Sequence, residues 1–269
     1  MAKTRRTTLK HYGIGCGLLV LLVVVVLSVM IGSVFFGYRE AFTIRADLER
    51  LYDTQEEYTP DATGAIPAER LQRFLAVRES LLPLCETVST HQRLFSRIQE
   101  QADAEEPPSG AFFRDALRAA ASMLRVGRDF GDYVTARNAA LLEQEMGLGE
   151  YTWIYVVAYL SWLDHPPLPA LAGGSSKNVY RDRVFPQVRE MIRRQVELAG
   201  EVPSSVAWRS ELELLDRVEG RIPFEHGLPR ELEVSLEPLR DKLERLGCPA
   251  ASELEVVLTV KSGIGYDHR

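Results

Sequence analysis

An uncharged apolar run near the N-terminus, residues 12–38, constrains this chain more than any other feature. At about 1.5 Å per helical residue, a run of this length can cross a hydrocarbon core of about 30 Å with some tilt. Four basic residues and no acidic residue precede it: Lys3, Arg5, Arg6 and Lys10. The run therefore predicts a transmembrane anchor whose partner is the lipid bilayer.

A cleaved secretory signal peptide is the competing interpretation of the same residues. Such a peptide has a shorter apolar region of about 7–15 residues that ends at a site of small residues. Here Phe35, Phe36 and Tyr38 occupy the place where that site would lie. The sequence favours an uncleaved signal-anchor.

The charges on either side of the run predict its orientation. The four basic residues lie on the N-terminal side, whereas Arg39 and Glu40 on the other side offset each other. Because basic flanks stay in the cytoplasm, we expect residues 1–11 to be cytoplasmic and the rest to be extracytoplasmic. The predicted location is the inner (cytoplasmic) membrane, single-pass, with a periplasmic domain if the source is a Gram-negative bacterium.

Helical spacing of apolar residues dominates the chain after the anchor. We expect the anchor helix to continue as a stalk over residues 39–58, to break at residues 60–64, and to be followed by one soluble domain over residues 59–269. Apolar residues then recur at intervals of three and four, which indicates helices that bury one face. The predicted fold class is all-α, an N-terminal single transmembrane helix followed by an extracytoplasmic multi-helix bundle.

Several helix limits follow from proline and glycine. A long helix is expected from Pro67 to a polar loop at residues 103–110, with a bend at Pro83, and a second long helix over residues 111–146. Three shorter helices are expected to end at Gly200, Gly220 and Gly247. Residues 256–260 fit either a short strand or the end of a helix.

Residues 150–163 are apolar or aromatic almost all the way round a helix, which places that helix in the middle of the domain. Four large aromatic residues share a helical spacing: Tyr151, Tyr155, Tyr159 and Trp162. The pattern favours plain core, and the alternative is the wall of a ligand pocket. Their phenol and indole groups need hydrogen-bond partners or access to water in either case.

The charge of the chain excludes a general nucleic-acid binder. Residues 1–38 hold four of the 32 basic residues and no acidic residue, so the rest has 28 bases against 38 acids and a formal charge of −10. A domain of that sign repels phosphate backbones. One basic cluster (Arg181, Arg183, Arg189, Arg193, Arg194) is interleaved with acids (Asp182, Glu190, Glu197), which favours a solvated helix face over an anion site.

The chain contains no motif that assigns a reaction. Its five histidines are scattered and have neither the HExxH spacing nor the cysteine neighbours of a zinc site. It also lacks a glycine-rich phosphate loop and a G-x-S-x-G elbow. We therefore predict no catalytic residue, no cofactor and no metal, and expect that the protein is not an enzyme.

The expected redox state of the cysteines depends on the compartment. If the domain is extracytoplasmic, Cys85 and Cys248 can form one disulfide, and if it is cytoplasmic both are expected to be reduced. Cys85 lies on an apolar helix face, where a free thiol is also common. The sequence leaves both possibilities open.

These observations favour a membrane-anchored interaction module: a scaffold or accessory subunit of the cell envelope with a protein partner there. An extracytoplasmic small-molecule-binding sensor domain, with the aromatic helix lining its pocket, is the first alternative. An envelope hydrolase or transferase is the second, and the missing motifs make it the weaker of the two.

Overall fold

The computed structural model describes residues 39–103, 110–165, 180–200, 205–218 and 220–256. Every regular element in these ranges is a helix, and no strand occurs among them. The predicted all-α class and helical bundle are confirmed. Of the helices in these ranges, none combines the length and apolar character that crossing a bilayer requires. The predicted span, residues 12–38, lies outside the described residues.

The first described helix, α1, covers residues 39–52 and is part of the domain core. Ala41 and Leu48 are 3 % and 1 % exposed, and the Asn138 side chain donates a hydrogen bond to the Ala41 carbonyl oxygen at 3.0 Å. The predicted stalk over residues 39–58 therefore differs from the structure in two respects. The helix ends at residue 52, before Asp53 at φ 62°, and one of its faces is buried against the domain that was expected to begin at residue 59.

Two long helices follow α1 and pack along each other: α2 (Ala68–Asp103) and α3 (Gly110–Glu143). Both limits of α2 lie within one residue of the predicted ones, Pro67 and residue 103. The start of α3 is one residue before the predicted residue 111, and its end is three residues before the predicted Met146. Pro83 lies inside α2, which stays helical on both sides of it. On α2 the buried face includes Leu71, Phe74 and Leu81.

The aromatic segment forms a helix that changes type. It begins as α4 (Leu148–Tyr155) and continues as a π-helix (Val156–Trp162). The start of α4 lies against the chain that follows α1. A Cβ on Gly149 would be 2.4 Å from the Tyr58 Cβ, so only glycine fits this close approach.

The remaining helices are short. In chain order they are a π-helix (Tyr180–Val184), α5 (Phe185–Ala199), α6 (Ser205–Arg217), α7 (Arg230–Leu236), a 3₁₀ turn (Glu237–Leu239), α8 (Arg240–Leu246), a second 3₁₀ turn (Pro249–Ala251) and α9 (Ser252–Val256). The single helix predicted up to Gly247 is thus divided at Pro238, which has no N–H to donate. Residue 256 is the last described residue of α9, and residues 257–260 lie outside the described ranges.

A disulfide links α2 to the C-terminal part of the chain. Cys85 on α2 and Cys248, which follows α8, are bonded, with their Cα atoms 5.9 Å apart and a sequence separation of 163. Cys248 itself is buried at 3 % exposure. Together with the packing of α2 against α8, this bond fixes the segment around Cys248 against the first long helix.

Candidate functional site

The most unusual feature of the core is a buried carboxylate. Glu255, on α9, has no exposed surface, and its carboxylate accepts hydrogen bonds from the Arg78 guanidinium and from the phenols of Tyr133 and Tyr151. The donors come from α2, α3 and α4. We call Glu255, Arg78, Tyr133, Tyr151, Arg137 and Asn138 the Glu255 cluster.

Arg78 is the counter-ion of Glu255 and is 1 % exposed. Its Nη2 donates to the Leu246 carbonyl oxygen at 2.9 Å, and its guanidinium lies 5.5 and 5.2 Å from the ring centres of Tyr155 and Tyr159. Burial acts to lower the pKa of Arg78, but the Glu255 charge outweighs it and holds that pKa well above the usual value. Arg78 is therefore a charged donor whose contacts are spread over Glu255, a backbone carbonyl and two aromatic rings.

Arg137 and Asn138 extend the cluster to both ends of the described chain. Arg137 Nη1 donates to the carbonyl oxygens of Leu254 and Glu255, at 2.6 and 2.8 Å, and Asn138 reaches α1 through the Ala41 carbonyl. Burial lowers the pKa of Arg137. The Glu255 cluster thus holds α1, α3 and α9 together.

The phenols of the cluster are neutral donors. Burial first, and then the neighbouring Glu255 charge, raise the pKa of Tyr133 and of Tyr151 well above the usual value. Every described contact of the carboxylate is with a donor supplied by the protein. The arrangement suits a structural joint between helices.

The four aromatic residues singled out in the sequence lie in or beside this region. Tyr151, Tyr155 and Tyr159 are at most 2 % exposed, and the Tyr159 phenol donates to the Leu243 carbonyl oxygen at 3.1 Å. Trp162 is half-buried, and the Arg240 guanidinium lies 4.0 Å from its ring centre. The structure brings the three tyrosines together around Arg78 and leaves Trp162 at the edge.

Sequence reasoning missed the Glu255 cluster, although one signal was present. Arg78 continues the apolar stripe of α2 that runs through Leu71 and Phe74, and Arg137 follows Tyr133 and Val134 on the buried face of α3. A charged residue on a core-facing stripe indicates a buried partner. The partner itself was not visible, because Glu255 lies more than a hundred positions away from both.

A pocket of about 370 Å³ lies elsewhere, between the start of α5 and the end of α6. Its lining is part basic and part apolar: Arg181, Asp182, Phe185, Pro186, Arg189, Leu215, Val218, Gly220 and Arg221. None of the four aromatic residues above belongs to it. The basic cluster predicted to be a solvated face contributes Arg181 and Arg189, and its other described members include Arg193 and Arg194, which pair with Glu190.

Arg221 is the most buried charged residue in the lining. Its side chain is 7 % exposed, and its ion pairs with Glu211 and Glu225 span 3.7 and 3.9 Å. Neither Nε nor Nη2 of Arg221 has a hydrogen-bond partner among the described residues, and the same holds for Nε of Arg189. The pocket wall thus contains N–H groups with unused hydrogen-bonding capacity.

Gly220 shapes one side of the pocket. It has φ +76°, and a Cβ there would lie 2.3 Å from the Arg181 Cγ. Only glycine adopts this backbone conformation without strain while letting the stem of Arg181 pack directly over it.

Within the described ranges, no group of three or more His, Cys, Asp or Glu side chains is placed to hold a metal ion. Comparison of the chain with protein-family models, with curated proteins and with solved structures gives no match.

Proposed function

We propose that this protein is a membrane-anchored interaction module of the cell envelope, a scaffold or accessory subunit whose helical domain is held in a fixed orientation on the extracytoplasmic side. In this proposal residues 12–38 cross the inner membrane with the N-terminus in the cytoplasm. The observation that carries it is the packing of α1, the helix that directly follows the apolar run.

A helix that leaves the bilayer and then packs into a domain core makes the anchor rigid. Ala41 and Leu48 are buried, and the Ala41 carbonyl is hydrogen-bonded by Asn138 of α3. The domain would therefore present the same surface at the same height to any neighbour in the membrane. Such positioning raises the effective concentration of a partner and is of use to a binding module.

The disulfide supports the extracytoplasmic side of the proposal. Disulfides persist in oxidising compartments such as the periplasm and are rare in the cytoplasm. The Cys85–Cys248 bond is therefore in keeping with the orientation that the basic N-terminal flank predicts. A reporter that is active only in the periplasm, fused after Arg269, should give a signal, whereas a signal from a cytoplasm-only reporter would reverse the orientation.

Complementation tests the role of rigid anchoring. Cells that lack the protein would receive the full chain, an exported soluble fragment 39–269, or the full chain with a flexible Gly/Ser insert between residues 38 and 39. The same insert between residues 10 and 11, on the cytoplasmic side of the run, is the matched control. We expect only the full chain and the control insert to restore the wild-type phenotype at equal abundance.

Full activity of the exported fragment would overturn the proposal and favour an enzyme or a soluble sensor. Full activity of the variant with the insert at residue 38 would retain tethering but remove the role of a fixed orientation. Co-purification from membranes with the full chain then identifies the partner, with the insert variant as the comparison.

A further inference from the structure

We propose that the pocket between α5 and α6 binds a small organic acid, whose carboxylate is held by Arg221 and Arg189 and whose apolar body lies against Phe185, Leu215 and Val218. This ligand site is independent of the proposed anchoring function. It differs from the pocket wall predicted from the aromatic helix, which contributes no residue to it.

The first argument is the unused hydrogen-bonding capacity of Arg221. Its Nε and Nη2 are shielded from water and have no hydrogen-bond partner among the described residues. Leaving buried donors unpaired is costly, and the cost is greater for charged groups. A small turn of the guanidinium toward the pocket would let an oxyanion accept these hydrogen bonds.

Glu211 forms an ion pair with Arg221 but accepts no hydrogen bond from it. The two side chains are 8 % and 7 % exposed, and the separation of 3.7 Å between Glu211 Oε2 and Arg221 Nη2 is an ion pair beyond hydrogen-bond reach. The other oxygen, Oε1, accepts the Phe224 backbone N–H at 2.7 Å. Glu211 is thus held in place by the backbone. Glu225, 3.9 Å from Arg221 Nε, is also beyond hydrogen-bond reach, so the hydrogen bonds of Nε and Nη2 are left to a ligand.

Arg189 provides the second guanidinium. Its Nε also has no hydrogen-bond partner among the described residues, and its Nη1 lies 3.6 Å from Asp216 Oδ1. The pocket lining thus contains two guanidinium groups, each a planar fork that can bind a carboxylate in a bidentate manner. Asp182, the acidic residue in the lining, is paired with Arg181 at 2.8 Å.

The apolar part of the lining decides between an organic acid and an inorganic anion. The lining contains four apolar residues besides the arginines: Phe185, Pro186, Leu215 and Val218. The pocket volume of about 370 Å³ is within the range of small-molecule sites. Phosphate or sulfate would leave these apolar side chains uncovered. An acid with a ring or short chain would cover them.

Isothermal titration calorimetry on the full chain in nanodiscs tests the site, with benzoate as the probe. Benzoate should bind saturably to the wild type. Arg221→Gln and Arg189→Gln should each weaken binding by about tenfold or more, because each removes a charged hydrogen-bond donor. Arg217→Gln is the matched control, since Arg217 lies on α6, pairs with Glu213 and does not line the pocket.

A second pair of variants tests the site while leaving the buried Arg221–Glu211 ion pair intact. Val218 lines the pocket and is 50 % exposed, so Val218→Glu adds a negative charge to the lining, and Val218→Gln has the same size without the charge. The Glu variant should weaken benzoate binding about tenfold relative to the Gln variant. This comparison stands even if Arg221→Gln fails to fold.

Three results would overturn the proposal. The first is no saturable binding at benzoate concentrations up to about 10 mM, which is tenfold above a dissociation constant of about 1 mM. The second is benzoate affinity unchanged in both Arg221→Gln and Val218→Glu, and the third is inorganic phosphate binding as tightly as benzoate. The last would show an oxyanion site without the selectivity for an apolar body.

Discussion

Arg78 and Glu255 lie 177 positions apart in the chain and form an ion pair with essentially no exposed surface. They lie on α2 and α9, which are far apart in the sequence. A buried ion pair adds little net stability compared with apolar residues, but breaking it on one side leaves a buried charge without a partner. The pair therefore ties α9 to α2.

Substitution of either partner alone should be strongly destabilising. We expect Arg78→Met and Glu255→Gln each to lower the free energy of unfolding by about 3–5 kcal/mol, since each leaves its former partner uncompensated. The double variant should lose less than the sum of the single losses, by about 1 kcal/mol or more. Urea unfolding followed by circular dichroism measures the double-mutant cycle.

The exposed pair Arg217–Glu213 is the control for this cycle, with side chains 73 % and 69 % exposed. Its coupling should be about 0–1 kcal/mol. Strictly additive losses at Arg78 and Glu255 would show that the two groups do not interact in the folded protein.

The sequence predicted much of this fold because apolar spacing is a local property. The limits of α2 and the central position of residues 150–163 follow from residues close together in the chain. The packing of α1 against the domain could not be predicted in this way. The sequence of a helix that follows an apolar run does not show whether the helix is a free stalk or packs against a distant residue such as Asn138. Pairings such as Arg78 with Glu255 depend on the tertiary fold, which spacing alone does not contain.

The candidate pocket was still less predictable. Arg221 lies in a short connection after Gly220, outside the helical basic cluster that the sequence drew attention to. Its burial results from Glu211 on α6 and from the chain around Phe224, which come together only when the connection folds back. The alternation of basic and acidic residues correctly indicates the ion pairs of Arg193 and Arg194, but it does not indicate which arginine side chain is buried.

The position of α1 predicts where a stable soluble fragment begins. Fragment 39–269 should be monomeric and unfold cooperatively, whereas fragment 59–269 lacks Leu48 and Ala41 and exposes the core that they cover. The loss of Leu48 alone should cost about 2–5 kcal/mol. Size-exclusion chromatography and thermal unfolding distinguish the two, and equal melting of both fragments would contradict the packing of α1.

The disulfide predicts a redox-dependent stability. Because the bond closes a loop over 163 positions, its removal should lower the free energy of unfolding by about 2–5 kcal/mol. In fragment 39–269, which contains only these two of the three cysteines, dithiothreitol should lower the urea midpoint. The Cys85→Ala/Cys248→Ala variant should start lower and not respond, and a wild-type midpoint that dithiothreitol leaves unchanged would argue against the bond in solution.

The phenols around Glu255 predict a loss of stability at high pH. The pKa of Tyr133 and of Tyr151 is raised in the folded protein, by burial first and then by the Glu255 charge, above the unfolded value of 10.0. Above about pH 10 the unfolded chain therefore releases protons that the folded chain keeps, so the free energy of unfolding falls as pH rises, by about 1.4 kcal/mol per pH unit for each such group.

Urea unfolding of fragment 39–269 between pH 10 and 11.5 should show this slope, and Tyr133→Phe should make it shallower by about 1.4 kcal/mol per pH unit, the contribution of one tyrosine. Between pH 7 and 9 the same variant should differ from the wild type by a constant offset, because neither state titrates its tyrosines there. Equal slopes above pH 10 would mean that the Tyr133 phenol ionises as readily in the folded protein as in the unfolded chain, which a buried donor to a carboxylate cannot do.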